Sequence, residues 1–236
     1  MPEKYIYPGQ ELELFKEAKN WKRYFGTKLS PYLTGKVLEV GAGMGETTIH
    51  LPHRNVTQWT CLEPDPALAA ILQEKKDGSY LPEHCQVVNG SLANLDPSEC
   101  FDTILYIDVL EHIEHDREEV ERAGRHLSPG GHLVVLCPAY NFLYSEFDKA
   151  IGHYKRYTAA DLRKLTPEGL DTHAFFYLDS MGFFASLMNR LLLHQSYPTK
   201  QQVAMWDRYF VPVSRVLDSL FFRTFGKAVI AIWKKQ

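Results

Sequence analysis

The chain has 236 residues, with 26 Lys and Arg against 29 Asp and Glu and a formal net charge of −3. That balance, without a long basic run, argues against nucleic acid as a partner. A hydrophobic content of 45% supports a sizeable core, and the length suits one α/β domain with additions.

Met1-Pro-Glu-Lys-Tyr5 lacks the apolar core of a signal peptide. Glu11 to Phe25 reads as a two-faced helix that Gly26 ends. Apolar runs predict strands at 37–40, 58–62, 85–88, 101–107 and 132–137. Between them, 46–51, 67–75 and 111–127 read as helices, and Ser128-Pro-Gly-Gly131 reads as a turn. Such alternation implies a parallel sheet with helices on both faces and a ligand at the C-terminal strand ends. Pro138 to Tyr157 is an aromatic-rich loop. Thr158-Ala-Ala-Asp161 opens a short helix. A strand at 172–178, helices at 183–193 and 201–222 and a last strand at 228–233 follow. Ala174 to Leu193 is the greasiest stretch, but Asp179, Asn189 and Arg190 interrupt it, so no membrane span is expected. Cys61, Cys85, Cys100 and Cys137 form no CxxC pair. Three of them lie in or beside strand-like segments and suit small buried groups, in a reduced, cytoplasmic setting.

Chemistry concentrates in a few segments. Lys36-Val-Leu-Glu-Val-Gly-Ala-Gly-Met-Gly-Glu-Thr-Thr48 runs from a strand carrying Glu39, through Gly41, Ala42, Gly43 and Gly45, into a helix start. The glycines let a ligand approach the backbone, and the helix offers free N–H groups. Their spacing is not the G-x-G-x-x-G of dinucleotide folds. Glu63, followed by Pro64, ends the next strand about 20 residues on, where an acid takes ribose hydroxyls. Val88-Asn-Gly-Ser-Leu92 follows, then Phe101-Asp-Thr-Ile-Leu-Tyr-Ile-Asp-Val-Leu-Glu-His-Ile113.

These ordered motifs resemble those of class I S-adenosylmethionine (SAM)-dependent methyltransferases, of the type 11/12-like kind, over roughly residues 35 to 137. The resemblance implies a Rossmann-like fold. It has a seven-stranded, mostly parallel sheet with an antiparallel last strand, an N-terminal helix and a late helical insertion. One domain is expected over 1–236: an N-terminal lid to 30, a SAM-binding core at 31–138, a substrate-side loop and helix at 139–170, and late strands with an insertion at about 182–222. The resemblance places Glu39 at the methionine end of SAM, Glu63 at the ribose, Ser91 and Leu92 at the adenine, and Asp108 at the cofactor pocket. A NAD-dependent oxidoreductase and a SAM-binding protein without turnover are the alternatives from other classes.

The acceptor side falls to Ala139–Tyr157. His153 has the range of a neutral-pH base, with His112 as a second candidate and Tyr154 and Tyr157 as orienting groups. Lys155 and Arg156 suit an acidic acceptor. Asp108, Glu111 and His112, with His153, resemble the divalent-metal site of ubiquinone-biosynthesis O-methyltransferases, which would take Mg²⁺ or a similar cation. In relatives without the metal, Asp108 only lines the pocket. The acceptor is expected to be a small molecule methylated at oxygen, with nitrogen, carbon or a lipid-linked acceptor as alternatives. Tyr5 to Gly9, Trp21, Tyr24 and Phe25 read as a lid or a docked helix. The apolar insertion reads as core or a homodimer face, with a greasy acceptor, or contact with a membrane surface that presents one, as the lesser alternative.

Overall fold

The computed structural model describes residues 6–9, 11–193 and 195–236. Its strands are β1 (Thr34–Val40), β2 (Asn55–Glu63), β3 (Cys85–Asn89), β4 (Phe101–Ile107), β5 (Leu127–Pro138), β6 (Leu170–Leu178) and β7 (Ala228–Lys235). They form a seven-stranded sheet in the order β3-β2-β1-β4-β5-β7-β6. β1 to β5 pair in parallel, and β7 runs antiparallel to both its neighbours. This is the Rossmann-like methyltransferase topology with its antiparallel last strand. The order reverses between β1 and β4, so a crevice opens beyond their C-terminal ends.

The helices are α1 (Glu11–Phe15), α2 (Lys19–Leu29), α3 (Glu46–His50), α4 (Pro66–Asp77), α5 (Asp116–Arg125), α6 (Glu146–Ala150), α7 (Ala159–Lys164), α8 (Ser180–Met188), α9 (Lys200–Met205) and α10 (Val211–Leu220). Central strands are apolar on both faces because both are covered. Val37, Leu105 and Ile230 pack toward Phe25, Leu29 and Leu72 of α2 and α4. Leu38, Ile104 and Val229 pack toward Val120 of α5 and Leu162 of α7.

The structure corrects several boundaries. The predicted helix 11–25 is broken. α1 ends at Phe15, and the Lys22 ammonium reaches back to the carbonyls of Phe15 and Lys16 (2.7 and 3.1 Å). Gly26 lies inside α2 rather than ending it. The predicted helix 111–127 is a 3₁₀ turn at Leu110–His112 followed by α5 from Asp116. The Glu111 carbonyl is engaged by the Tyr154 N–H at 2.8 Å. The segment after β5 is not a plain loop. Tyr140 and Tyr157 close its ends through backbone hydrogen bonds, and Ser145 and Asp148 form a capping box on α6.

Buried carboxylates tie the insertion to the rest. Asp207 accepts from the Asn20 and Trp21 N–H groups, capping α2 from far along the chain. Asp218 accepts from the Tyr24 hydroxyl and the Asp179 and Ser180 amides. Asp179 accepts from the Gly182 N–H, the Ser214 hydroxyl and the Trp206 indole. A π-helical turn at Trp206–Phe210 joins α9 to α10. π-turns of this kind often mark functional sites. No described helix is long and apolar enough to cross a membrane.

Candidate active site

A cavity of about 270 Å³ opens at the switch point. Its walls hold Gly41, Ala42, Gly43, Glu63, Pro64 and Asp108 on one side, and Glu111, His112 and His153 on the other. Tyr7, Lys22, Trp21 and Phe25 from the N-terminal segment close over it, and Trp206 enters from the insertion.

The glycine loop takes a shape that only small residues fit. Gly41 has φ +68°, and a Cβ there would stand 2.7 Å from a methyl of Val109. Gly45, also at positive φ, begins α3 behind the cavity wall. Glu63 locks the loop: its carboxylate accepts from the Gly43 and Asp65 N–H groups, both at 2.8 Å. Each carboxylate oxygen keeps a second lone pair. Burial raises the Glu63 pKa against these two hydrogen bonds.

Asp108 ends β4 at φ +54° with its surface open to the cleft. Protein surrounds it, and this burial pushes its carboxyl up to about 6 against the pull of Lys227, His153 and Lys22. Burial likewise holds the Lys22 ammonium down at about 8.

A buried polar cluster surrounds Asp148, whose side chain is fully buried. It accepts from His153 Nδ1 (2.9 Å), from Arg156 Nε and Nη2 (2.7 and 2.8 Å) and from the Ser145 amide (2.8 Å). Burial alone would push the Asp148 carboxyl up, but the His153 and Arg156 hydrogen bonds hold it well below the usual carboxylate range. Glu111 is the opposite case. It is fully buried, and among the described residues its carboxylate meets only the Cys137 thiol, a weak donor, and His153 Nε2 at 3.8 Å, beyond hydrogen-bond range. Burial, with Asp108 nearby, pushes its carboxyl well above the usual range. Burial also pushes the His112 imidazole down to about 3, which keeps it neutral. His112 and His153 meet edge to face at 4.5 Å. Tyr7 meets His112 edge to face at 5.4 Å, and donates its hydroxyl to Glu11 and its N–H to Asp65. Tyr7 belongs to the stretch expected as a lid, whereas no motif singles out Glu11. Tyr5, the other end of the predicted lid, lies outside the described residues.

Several predicted site residues stand elsewhere. Glu39 points beneath the loop, where it accepts from the Thr48 hydroxyl (2.5 Å) and the Trp59 indole (2.9 Å), and burial raises it to about 7. Ser91 is exposed and bonded to Asn94, and Leu92 belongs to the core. Tyr154 is 56% exposed. Tyr157 is buried with its hydroxyl on Asp116, which also takes the Lys155 ammonium at 2.6 Å. Tyr157 and Lys155 therefore serve packing behind the site. Asp108 is not part of the close Glu111, His112 and His153 group, whose ligand atoms lie within 4.8 Å of one another.

Residues 38–133 match the family model of a methyltransferase domain. No curated protein matches the chain. Among solved structures, the N-methyltransferase NodS from Bradyrhizobium japonicum WM9, in complex with S-adenosyl-L-homocysteine, is 15% identical. The match covers 97% of this chain and 92% of that one, with a TM-score of 0.58. A SAM-dependent methyltransferase from Clostridium acetobutylicum is 12% identical, with 95% and 96% covered and a TM-score of 0.59. The [4+2]-cyclase SpnF is 16% identical, with 96% and 94% covered and a TM-score of 0.63. At such identities the likeness is one of fold, and the cyclase illustrates that a fold does not fix a reaction. The fold is that of the class I methyltransferases, and residues 38–133 carry the sequence match to the methyltransferase domain.

Proposed function

We propose that the chain binds SAM and transfers its methyl group to an oxygen of a small-molecule acceptor, with His153 as general base. The pinning of His153 carries this reading. Its Nδ1 donates to Asp148 at 2.9 Å, which leaves Nε2, 3.8 Å from Glu111 Oε1, as the ring atom available to take a proton. His153 and Asp108 stand in the walls of the same cavity.

SAM would lie with its methionine end on the Gly41–Gly43 backbone. The ribose hydroxyls would donate to the spare lone pairs of Glu63, and the adenine would lie between Pro64, Leu68 and Val109. The Asp108 carboxylate faces the cationic end of the cofactor, whose charge would draw its pKa down from about 6. Bound SAM would supply the methyl group to an acceptor oxygen, its C–S bond breaking to a neutral thioether, and His153 Nε2 would take the hydroxyl proton.

A second reading rests on Glu111. A buried carboxylate with no strong hydrogen-bond donor on either oxygen among the described residues, beside two imidazoles, fits a divalent cation. Glu111, His112 and His153 would hold it, and two imidazoles with one carboxylate suit a transition ion better than Mg²⁺. When bound, such an ion would hold vicinal acceptor oxygens and lower a hydroxyl pKa. This is where the likeness to the ubiquinone-biosynthesis enzymes bears on the chain.

The test uses labelled SAM and a panel of phenols, catechols and carboxylic acids. His153→Ala should lose about 10²- to 10⁴-fold in kcat while S-adenosylhomocysteine affinity holds. An unchanged rate would exclude His153 as the base. Chelator treatment with Mn²⁺ rescue separates the readings, because a base-only enzyme ignores both.

A further inference from the structure

A second cavity, of about 360 Å³, lies behind the first. The two share Phe15, Phe147, Arg156, Trp206 and Lys227 in their walls. Beyond that shared neck the second cavity is an open groove lined mainly by the insertion, where Val203, Phe210 and the solvent-exposed Ala185, Met188 and Met205 stand beside Ser186, Asn189, Gln195 and Gln202.

The neck carries positive charge that the protein does not use up. Arg156 is 7% exposed, and its Nη1 has no hydrogen-bond partner among the described residues, although its Nε and Nη2 grip Asp148. A buried guanidinium nitrogen without an acceptor is costly. The Lys227 ammonium rests 4.3 Å from the Trp206 ring centre and forms no ion pair among the described residues. Three carboxylates act on Lys227: Asp108 stands open to the cleft, and the other two are engaged. Asp148 holds His153 and Arg156, and Asp179 holds Gly182, Ser214 and Trp206. An anion at the neck would satisfy Arg156 Nη1 and pair with Lys227.

We infer that the methyl acceptor is an anionic amphiphile. Its carboxylate or phosphate sits at the Arg156–Lys227 neck, its apolar tail fills the second cavity, and its reacting oxygen faces the first. This rests on the proposed methyl transfer and specifies its substrate class. A polar acceptor without a tail would leave the second cavity unfilled. A neutral lipid would leave Arg156 Nη1 unmatched.

Titration calorimetry on the full chain saturated with S-adenosylhomocysteine tests this. The ligands are straight-chain carboxylates, alkyl phosphates and primary alcohols of matched length, each below its micelle concentration. Affinity for the anions should rise about fourfold per methylene until the cavity is full. Alcohols of equal length should bind at least tenfold more weakly. The stronger of the two anion series identifies the headgroup. Lys227→Met should weaken anions about tenfold and leave alcohols unmoved. Ala185→Trp should abolish the chain-length dependence while short anions still bind. Equal binding of alcohols and anions, or no chain-length dependence, overturns the inference. Failure to bind S-adenosylhomocysteine at all would instead sink the donor reading.

Discussion

On the donor side of the cavity, Glu63 accepts from backbone amides at sequence separations of 20 and 2 residues. On the acceptor side, Asp207 caps α2 across 187 residues, and Asp218 reaches Tyr24 across 194. The first site is built from one turn of chain and its neighbouring strand. The second exists only when the insertion, α2 and the segment around α6 have docked. Polar matching differs as well. The Glu63 carboxylate is matched locally. Glu111 and Arg156 both line the cavity, and the Glu111 oxygens and Arg156 Nη1 have no hydrogen-bond partner within 3.5 Å among the described residues. The comparison assigns fixed donor recognition to local backbone and acceptor choice to distant side chains.

The sharpest way to break this contrast is at Asp148. Asp148→Ala would leave the Arg156 guanidinium, paired through two bonds and almost wholly buried, without a counter-charge. Breaking a buried pair from one side costs about 3–5 kcal/mol. Urea unfolding should show that loss, and His153 should lose its fixed tautomer. A loss below about 1 kcal/mol would mean that Arg156 is not held by this pair, and the acceptor side would then be no more preorganised than a surface loop.

Gly41→Ala probes the donor side with a smaller expected effect. An alanine at φ +68° costs about 1–2 kcal/mol, and its Cβ would crowd Val109. S-adenosylhomocysteine affinity should fall at least tenfold. Adding Val109→Ala should recover the steric part but not the backbone part, so the double variant separates the two. Full recovery would show that the loop conformation is not what glycine supplies here.

The same contrast explains what could be read from the sequence. The sheet was legible because each strand of the core is an apolar run bounded by turns, and the glycine loop, Glu63 and Asp108 sit at fixed places relative to those strands. The break between α1 and α2 was not, since the groups that settle it include the distant Asp207. Asp148 carried a local signal, the Ser145-x-x-Asp148 capping box, which announces a helix start but not the ion pair with Arg156. Ser91 and Tyr157 follow their expected chain positions, yet one bonds Asn94 and the other Asp116, because side-chain direction depends on packing. The shared neck of the two cavities combines α1, α6, the π-turn and the start of β7, a conjunction with no linear pattern.

Glu39 offers the finest test, because it lies under the donor loop without lining the cavity. Burial raises its carboxyl from the ordinary 4.5 to about 7, partly offset by hydrogen bonds from Thr48 and Trp59. A folded-state pKa above the unfolded value means that the native state holds the proton longer. Between about pH 4.5 and 7 the unfolded chain binds fewer protons at this site, so the contribution of Glu39 to stability falls as pH rises. Glu39→Gln removes that titration while its amide oxygen can still accept from Thr48 and Trp59. The variant should match the parent near pH 4.5 and exceed it by on the order of 1 kcal/mol at pH 8.5, the shift being discounted because an amide accepts more weakly than a carboxylate. Asp108, also raised by burial, titrates in both proteins and cancels in the difference. A difference that stays flat across pH 4.5 to 8.5 would place Glu39 in contact with water. The loop would then rest on Glu63 alone.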